Sequence, residues 1–355
     1  MTYVSPHPSG AHSGAAPFTD LFQQVREAGL LRLRPRYYAW RLTLSAALFG
    51  AGLAAFLLLG DSWYQPLVAA YLALSSVQCA FMGHDAGHKA MFRDKRAATA
   101  VGLLHMNLVN GISYGWWVGH HNRHHSHPNH LDRDPDIARR TAVFHVKQYA
   151  RRTARQRFIV RHQAVLFFVL LVLEAYKIQK TSVLAVLRRG VRRPVLEGGL
   201  MLARVVVFAG ALLLVLPPLK ALVFLLVHQA LTGVYLGLVF APNHKGMEIR
   251  DGAEESLDWL ERQVLTSRNV RPSPLTDFLY GGLNYQIEHH LFPAMPQRSL
   301  GRCRKIVRAY CAAHGLPYRE VGIAASYREV ASFLHEVSAP IRAEHERAGR
   351  HRRAA

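Results

Sequence analysis

The chain has 355 residues, 50% of them apolar, and carries 44 Lys and Arg against 23 Asp and Glu for a formal charge of +21. Its three cysteines (Cys79, Cys303, Cys311) form no disulfide framework. The apolar residues are gathered into long uncharged runs with the basic residues between them, which argues against a soluble globular fold, and no nucleic-acid motif accompanies the charge.

Residues 1–34 read as a disordered cytoplasmic lead-in: Met1–Pro17 is rich in Pro, Gly, Ser and His and lacks the basic-then-apolar order of a signal peptide. Leu42–Gly60 is 19 residues without a charge, enough at about 1.5 Å per residue to cross a hydrocarbon core of about 30 Å. The tip Asp61–Gln65 carries aromatic residues suited to an interface, and Pro66–Gly83 returns as a second span. Ala97–Gly119 is uncharged but holds Gly, Asn and His105. A full crossing there would put its flanking histidines on opposite membrane faces, so a re-entrant or interfacial helix is expected. His162–Leu173 is too short to span and is expected along the membrane surface. Gly198–Leu219, with Arg204 able to snorkel, and Ala221–Asn243 make the second hairpin. Arginines ahead of the first span and a dense Arg/Lys segment at 139–193 put both termini and the long middle segment in the cytoplasm.

Histidine is distributed unevenly along this plan. His84 and His88 stand at i and i+4 where the second span ends, and one helical face can present both. Residues 120–130 read His-His-Asn-Arg-His-His-Ser-His-Pro-Asn-His; of these, His121, His124 and His125 share a face, while His120, His127 and His130 point elsewhere. The acids and amides of Asn129–Asp136 suit the second nitrogen of a ligating imidazole. Gln286, His289 and His290 repeat the i, i+3, i+4 spacing, and Asn243-His244 closes the fourth span. All of these fall on the cytoplasmic side. The eight imidazoles exceed what one four-coordinate zinc uses, which points to two metal ions, and ligand type alone leaves iron, copper and zinc open.

The order His-Asp-x-Gly-His, His-x-x-His-His, Gln-x-x-His-His resembles the membrane fatty-acid desaturases, in the front-end, linoleoyl-CoA desaturase-like branch where Gln replaces the first histidine of the third box. Gln263–Asn269 and Gly281–Pro293 are similar to that branch nearly word for word, and the likeness runs from about residue 35 to 320. It implies an all-α integral membrane protein with four transmembrane helices in two hairpins. A helical cytoplasmic cap would hold a His-rich dimetal site, and 321–355 would be a basic cytoplasmic tail. It also implies a di-iron centre that inserts a cis double bond into a fatty-acyl chain, supplied as acyl-CoA or lipid-linked, with O2 and two electrons. Carried over position by position, His84, His88, His121, His124, His125, His289 and His290 match the boxes and His244 an additional ligand, with Gln286 and Asn243 acting through hydrogen bonds or bound water.

Many members of the branch carry a fused cytochrome domain marked by His-Pro-Gly-Gly. That motif does not occur here, so an external donor such as a ferredoxin or a flavin reductase is expected to dock on basic residues including Arg139, Arg140, Arg151, Arg152, Arg188 and Arg189. His228 and Gln229, mid-span, read equally as an acyl-tunnel border or an interhelical hydrogen bond. Trp116 and Trp117 read as interfacial anchors rather than walls of the acyl site. The rival readings are a hydroxylase on the same scaffold and, further off, a non-catalytic membrane metal carrier.

Overall fold

The computed structural model describes residues 18–138, 142–150, 152–252 and 257–354. Met1–Pro17, Arg139, Arg140 and Arg151 lie outside them. In chain order the helices are α1 (Phe18–Glu27), α2 (Pro35–Leu59), α3 (Gln65–Gly87), α4 (Lys95–Gly102), α5 (Tyr114–Ser126), α6 (Ala154–Arg161), α7 (Gln163–Leu170) and α8 (Glu174–Leu187). They continue with α9 (Pro194–Val215), α10 (Pro218–His244), α11 (Trp259–Leu265), α12 (Pro274–Leu279), α13 (Gln286–Leu291), α14 (Gln297–Ala313), α15 (Ile323–Val337) and α16 (Ala339–Ala354). Among the described residues the one sheet is a parallel pair, β1 (Asn269–Val270) with β2 (Glu320–Val321).

Helices α2, α3, α9 and α10 are long and apolar enough to cross a membrane, and each opens with proline in its first turn, where a missing N–H costs nothing. At the turn between α2 and α3 Gln65 donates to the carbonyls of Phe56 and Gly60 at 2.8 Å each, closing the end of α2. Lys220 Nζ, in the first turn of α10, meets Asp61 Oδ1 at 2.7 Å, so the α2–α3 and α9–α10 turns are tied together. Helices α3 and α10 form the buried pair. Helices α2 and α9 turn rows of leucine and valine outward, with Leu58 and Leu214 87% and 89% exposed, surface that only an apolar surrounding would cover.

The stretch 97–126 doubles back. Helix α4 runs into a π-helical turn at Leu103–Val109, the chain breaks at Asn110–Ser113 with Gly111 at φ +66°, and α5 starts again at the Ser113 cap. Glu197 accepts from the Gly115 N–H (3.0 Å), and also from the Ser113 hydroxyl, anchoring that new start against α9. The stretch 154–187, which contains the His162–Leu173 segment expected along the membrane surface, is bent by 97° between α6 and the helices that follow. It would count as a fifth crossing only if the bent pair were taken as one span.

Two expectations need correction. Residues 1–34 are not all an unstructured lead-in: Leu21 and Val25 of α1 are fully buried, in one core with Leu260, Val264, Ile287, Phe292 and Val307. Residues 321–355 are not simply a tail, because Val330, Phe333 and Leu334 of α15 pack with Val143, Phe144 and Val160 in another core. Each segment contains an amphipathic helix, α1 in the first and α15 in the second, that buries one apolar face.

Candidate metal centre

The last turn of α3 supplies His84, with His88 just beyond it; α5 supplies His121, His124 and His125; α13 supplies His289 and His290; and the last residue of α10 is His244. The fold brings these eight imidazoles into one cluster and sorts them in two. His84, His88, His121 and His289 have ring nitrogens within 4.8 Å of one another, as do His124, His244 and His290. His125 sits between the groups, its Nε2 3.1 Å from that of His121 and its ring stacked 4.2 Å from His290. The shared helical face therefore serves both groups: His121 faces one and His124 the other.

Outer hydrogen bonds fix the tautomers. His244 Nδ1 donates to the Thr266 carbonyl at 2.9 Å, His290 Nδ1 to Gln263 Oε1 at 2.8 Å, and His124 Nδ1 to Asp134 at 3.0 Å. Each imidazole then turns a bare Nε2 lone pair inward. The Nε2 atoms of His124 and His244 lie 3.1 Å apart, a repulsive contact between neutral rings that a cation held by both relieves. The buried Nε2 atoms of His88, His289 and His290 have no protein partner. A set of converging, unprotonated nitrogens fits metal ions, and an all-imidazole donor set suits iron, copper or zinc. Burial first, then neighbouring imidazoles, holds the pKa values of His121, His125, His289 and His290 well below the ordinary range, favouring the neutral, ligating form.

Gln286 and Asn243 stand in the site as a hydrogen-bonded relay. Asn243 Nδ2 donates to the Leu283 carbonyl and to Gln286 Oε1, both at 3.0 Å, which turns the Gln286 amide N–H toward His244 Nε2 at 2.9 Å. His120 reaches Asp136 Oδ1 at 2.9 Å, outside both groups. His127 and His130 contact each other instead.

Sequence reasoning assigned no role to Gln263, Thr266 or Asn269, although it singled out the segment that contains them. Asn269 Nδ2 donates to Glu288 Oε2 at 2.8 Å and its Oδ1 accepts the Ile287 N–H at 2.9 Å, which holds α13 in place. Tyr38 Oη, also missed, donates to Asp85 Oδ2 at 2.8 Å, while Asp85 Oδ1 meets His84 Nδ1 at 3.1 Å. Nothing in a linear reading pairs residues so far apart.

Beside the cluster lies a cavity of about 170 Å³ whose apolar walls include Trp117, Leu171, Ile178, Gly237 and Phe240, and which reaches His121, His124, His244 and Gln286. Trp116 and Trp117 thus wall this cavity rather than only anchoring an interface, with Trp117 stacked 4.5 Å from His121. Gly237 lets the Leu171 side chain approach closely: a Cβ there would meet it at 2.4 Å and oblige it to shift. His228 and Gln229 are not among the cavity's lining residues. His228 lies 3.5 Å from Ser76 Oγ and Gln229 donates to Gln179 Oε1 at 3.2 Å, the interhelical alternative.

The sequence model described as fatty acid desaturase matches residues 61–322. Over 93% of its length the chain is 31% identical to an acyl-lipid (9-3)-desaturase of Physcomitrium patens, covering 65% of that protein. It is 27% identical to a delta(8)-fatty-acid desaturase of Helianthus annuus, over 85% of this chain and 68% of the other. It is 30% identical to the delta(6)-fatty-acid desaturase fat-3 of Caenorhabditis elegans, over 85% and 70%. The chain thus spans about two thirds of the length of these relatives.

Proposed function

The chain belongs to the fatty acid desaturase family, and from that premise we propose that it is an oxygen-dependent fatty-acyl desaturase, an oxidoreductase that introduces a cis double bond into an acyl chain. The observation that carries this reading is the apolar cavity ending against two groups of inward-facing imidazole nitrogens. The relatives' names make the delta-6 and delta-8 positions the first regiochemistries to look for.

In this reading the four long helices are two membrane hairpins, and the cap and both ends of the described chain lie in the cytoplasm, on the side of the basic segments. His84, His88, His121 and His289 would hold one iron and His124, His244 and His290 the other, with His125 placed between the two groups. Two redox-active ions, when bound, supply the activation of dioxygen.

The chain's own residues do the rest. Trp117, Leu171 and Phe240 exclude water and hold methylenes against the imidazoles. Asp134, Gln263 and Thr266 keep protons on Nδ1, so that the Nε2 lone pairs stay aimed at the ions. Asn243 orients Gln286, whose amide donates toward the same pocket. The balance is –CH2–CH2– plus O2, two electrons and two protons giving –CH=CH– and two waters, the electrons arriving from a separate carrier.

The deciding experiment is expression in a host lacking the relevant desaturase, with mass spectrometry of its fatty acids. A new double bond that His124→Ala and His290→Ala each abolish, from protein holding about two irons per chain, is expected. Tightly bound zinc with no oxygen-dependent product overturns the reading.

A further inference from the structure

The third box lies directly beneath a helix whose outer surface no part of the mechanism uses. Helix α14 turns Leu300, Cys303 and Val307 inward, onto a core shared with Ile287, Leu291 and Phe292 of α13. Its opposite face exposes Arg298, Arg302, Lys305 and Arg308, a stripe at i, i+4, i+7 and i+10, and the helix contains no Asp or Glu. None of these four has an ion-pair partner among the described residues. Arg271 joins the stripe across a surface recess lined also by Arg304, Tyr318 and Glu320, where Glu320 is engaged by Arg304 at 2.6 Å.

This face is built for solvent rather than lipid. Among the exposed large apolar side chains none belongs to α14, whereas a helix lying in a membrane surface turns its apolar face outward. The core beneath it contains no residue of α2, α3, α9 or α10. The recess is also wired inward: Tyr318 Oη donates to Glu288 Oε1 at 2.8 Å, and Glu288 is the chain neighbour of His289. One hydrogen bond and one peptide link separate the recess wall from the imidazole cluster.

We infer that the α14 stripe and the Arg271–Tyr318 recess form the docking surface for a soluble, acidic one-electron carrier of the ferredoxin type. The inference rests on the desaturase reading. Two carrier molecules each give up one electron, and those two electrons with two protons complete the reduction of O2 to two waters as the acyl chain loses two hydrogens. Uncompensated cations of one sign above the cluster steer an acidic face to that spot and make the encounter salt-sensitive.

The test uses the full chain in neutral-lipid nanodiscs, titrated with an oxidised acidic [2Fe–2S] ferredoxin at low and physiological salt. Arg302→Glu with Arg308→Glu should weaken the ferredoxin Kd about tenfold at low salt and flatten its salt dependence. Product from a single turnover of dithionite-reduced enzyme should match the parent. Arg302→Gln with Arg308→Gln, which removes charge without reversing it, should shift Kd in the same direction by less, and this pair decides if the reversal variant does not fold. An unchanged ferredoxin Kd in both variants overturns the inference. So does a loss confined to vesicles containing phosphatidylglycerol, which would make lipid the occupant. If the dithionite-reduced parent forms no double bond but the ferredoxin shifts appear, the docking surface stands and the desaturase reading falls.

Discussion

Asp134 shows how much one carboxylate carries at this site. It is fully buried, accepts the His124 Nδ1 proton at 3.0 Å and also receives the backbone N–H groups of Asn129 and Asp136 at 2.8 Å. Asp134→Asn sets an amide donor against one of these donors, so a loss of about 1.5–3 kcal/mol is expected and metal retention should fall by about ten- to a hundredfold, read as iron content after dialysis. A second residue-scale effect concerns pH. The pKa values of His121, His125, His289 and His290 are depressed by burial, so below the ordinary value of 6.5 the unfolded chain binds protons that the folded metal-free protein refuses. The stability these groups contribute is complete above that pH and is lost as pH falls. His124, whose pKa is raised by Asp134, and Glu288, pushed up to about 7 by burial, oppose this, but the depressed imidazoles outnumber them. Thermal unfolding of chelator-stripped protein in detergent should drop steeply below about pH 6.5; a flat or rising profile would contradict the buried neutral imidazoles. The ligand candidates were legible in the sequence because metal chemistry demands histidine at helical spacing. Gln263 and Thr266, their hydrogen-bonding supports, were not, since an amide or a backbone carbonyl can serve almost anywhere.

At the scale of elements, the end of α10 is the instructive case. Pro242 removes the N–H that would bond the Leu238 carbonyl, and Tyr327 Oη of α15 supplies the missing donor at 2.9 Å. Arg268 takes the Pro242 and Lys245 carbonyls, its Nη2 lying 3.0 Å from the latter, and Asn129 Nδ2 takes that of His244 at 2.9 Å. A helix terminus that carries two site residues is thus held from three directions. Tyr327→Phe should cost about 1–3 kcal/mol by orphaning a carbonyl, seen as a lower melting temperature with partial loss of iron, whereas a change at an exposed α15 position such as Arg328→Gln should do neither. The long apolar helices could be read in advance because lipid demands an unbroken run. The doubling back of 97–126 could be inferred only from the need to keep the histidines together. The packing of α15 on α10 left no linear trace, since a carbonyl freed by proline does not announce its donor.

For the whole molecule, the Lys220–Asp61 tie joins the α2–α3 turn to the start of α10, and the ends of α3 and α10 carry His84 and His244 into the imidazole cluster. In the proposed orientation, which sets the cap in the cytoplasm, Ser62→Cys should react with a membrane-impermeant maleimide in intact cells, and Glu346→Cys only after permeabilisation. The reverse pattern would invert the orientation. The cluster also has a temporal side. Its members come from positions as far apart as His84 and His290, so at about 5–20 residues per second the first pair leaves the ribosome roughly ten to forty seconds before the last. During that interval neither group is complete, so in the proposed two-iron reading no nascent chain short of residue 290 offers all the candidate ligands. In that reading full metal loading follows the emergence of residue 290, and a chain terminated before residue 289 lacks part of both groups.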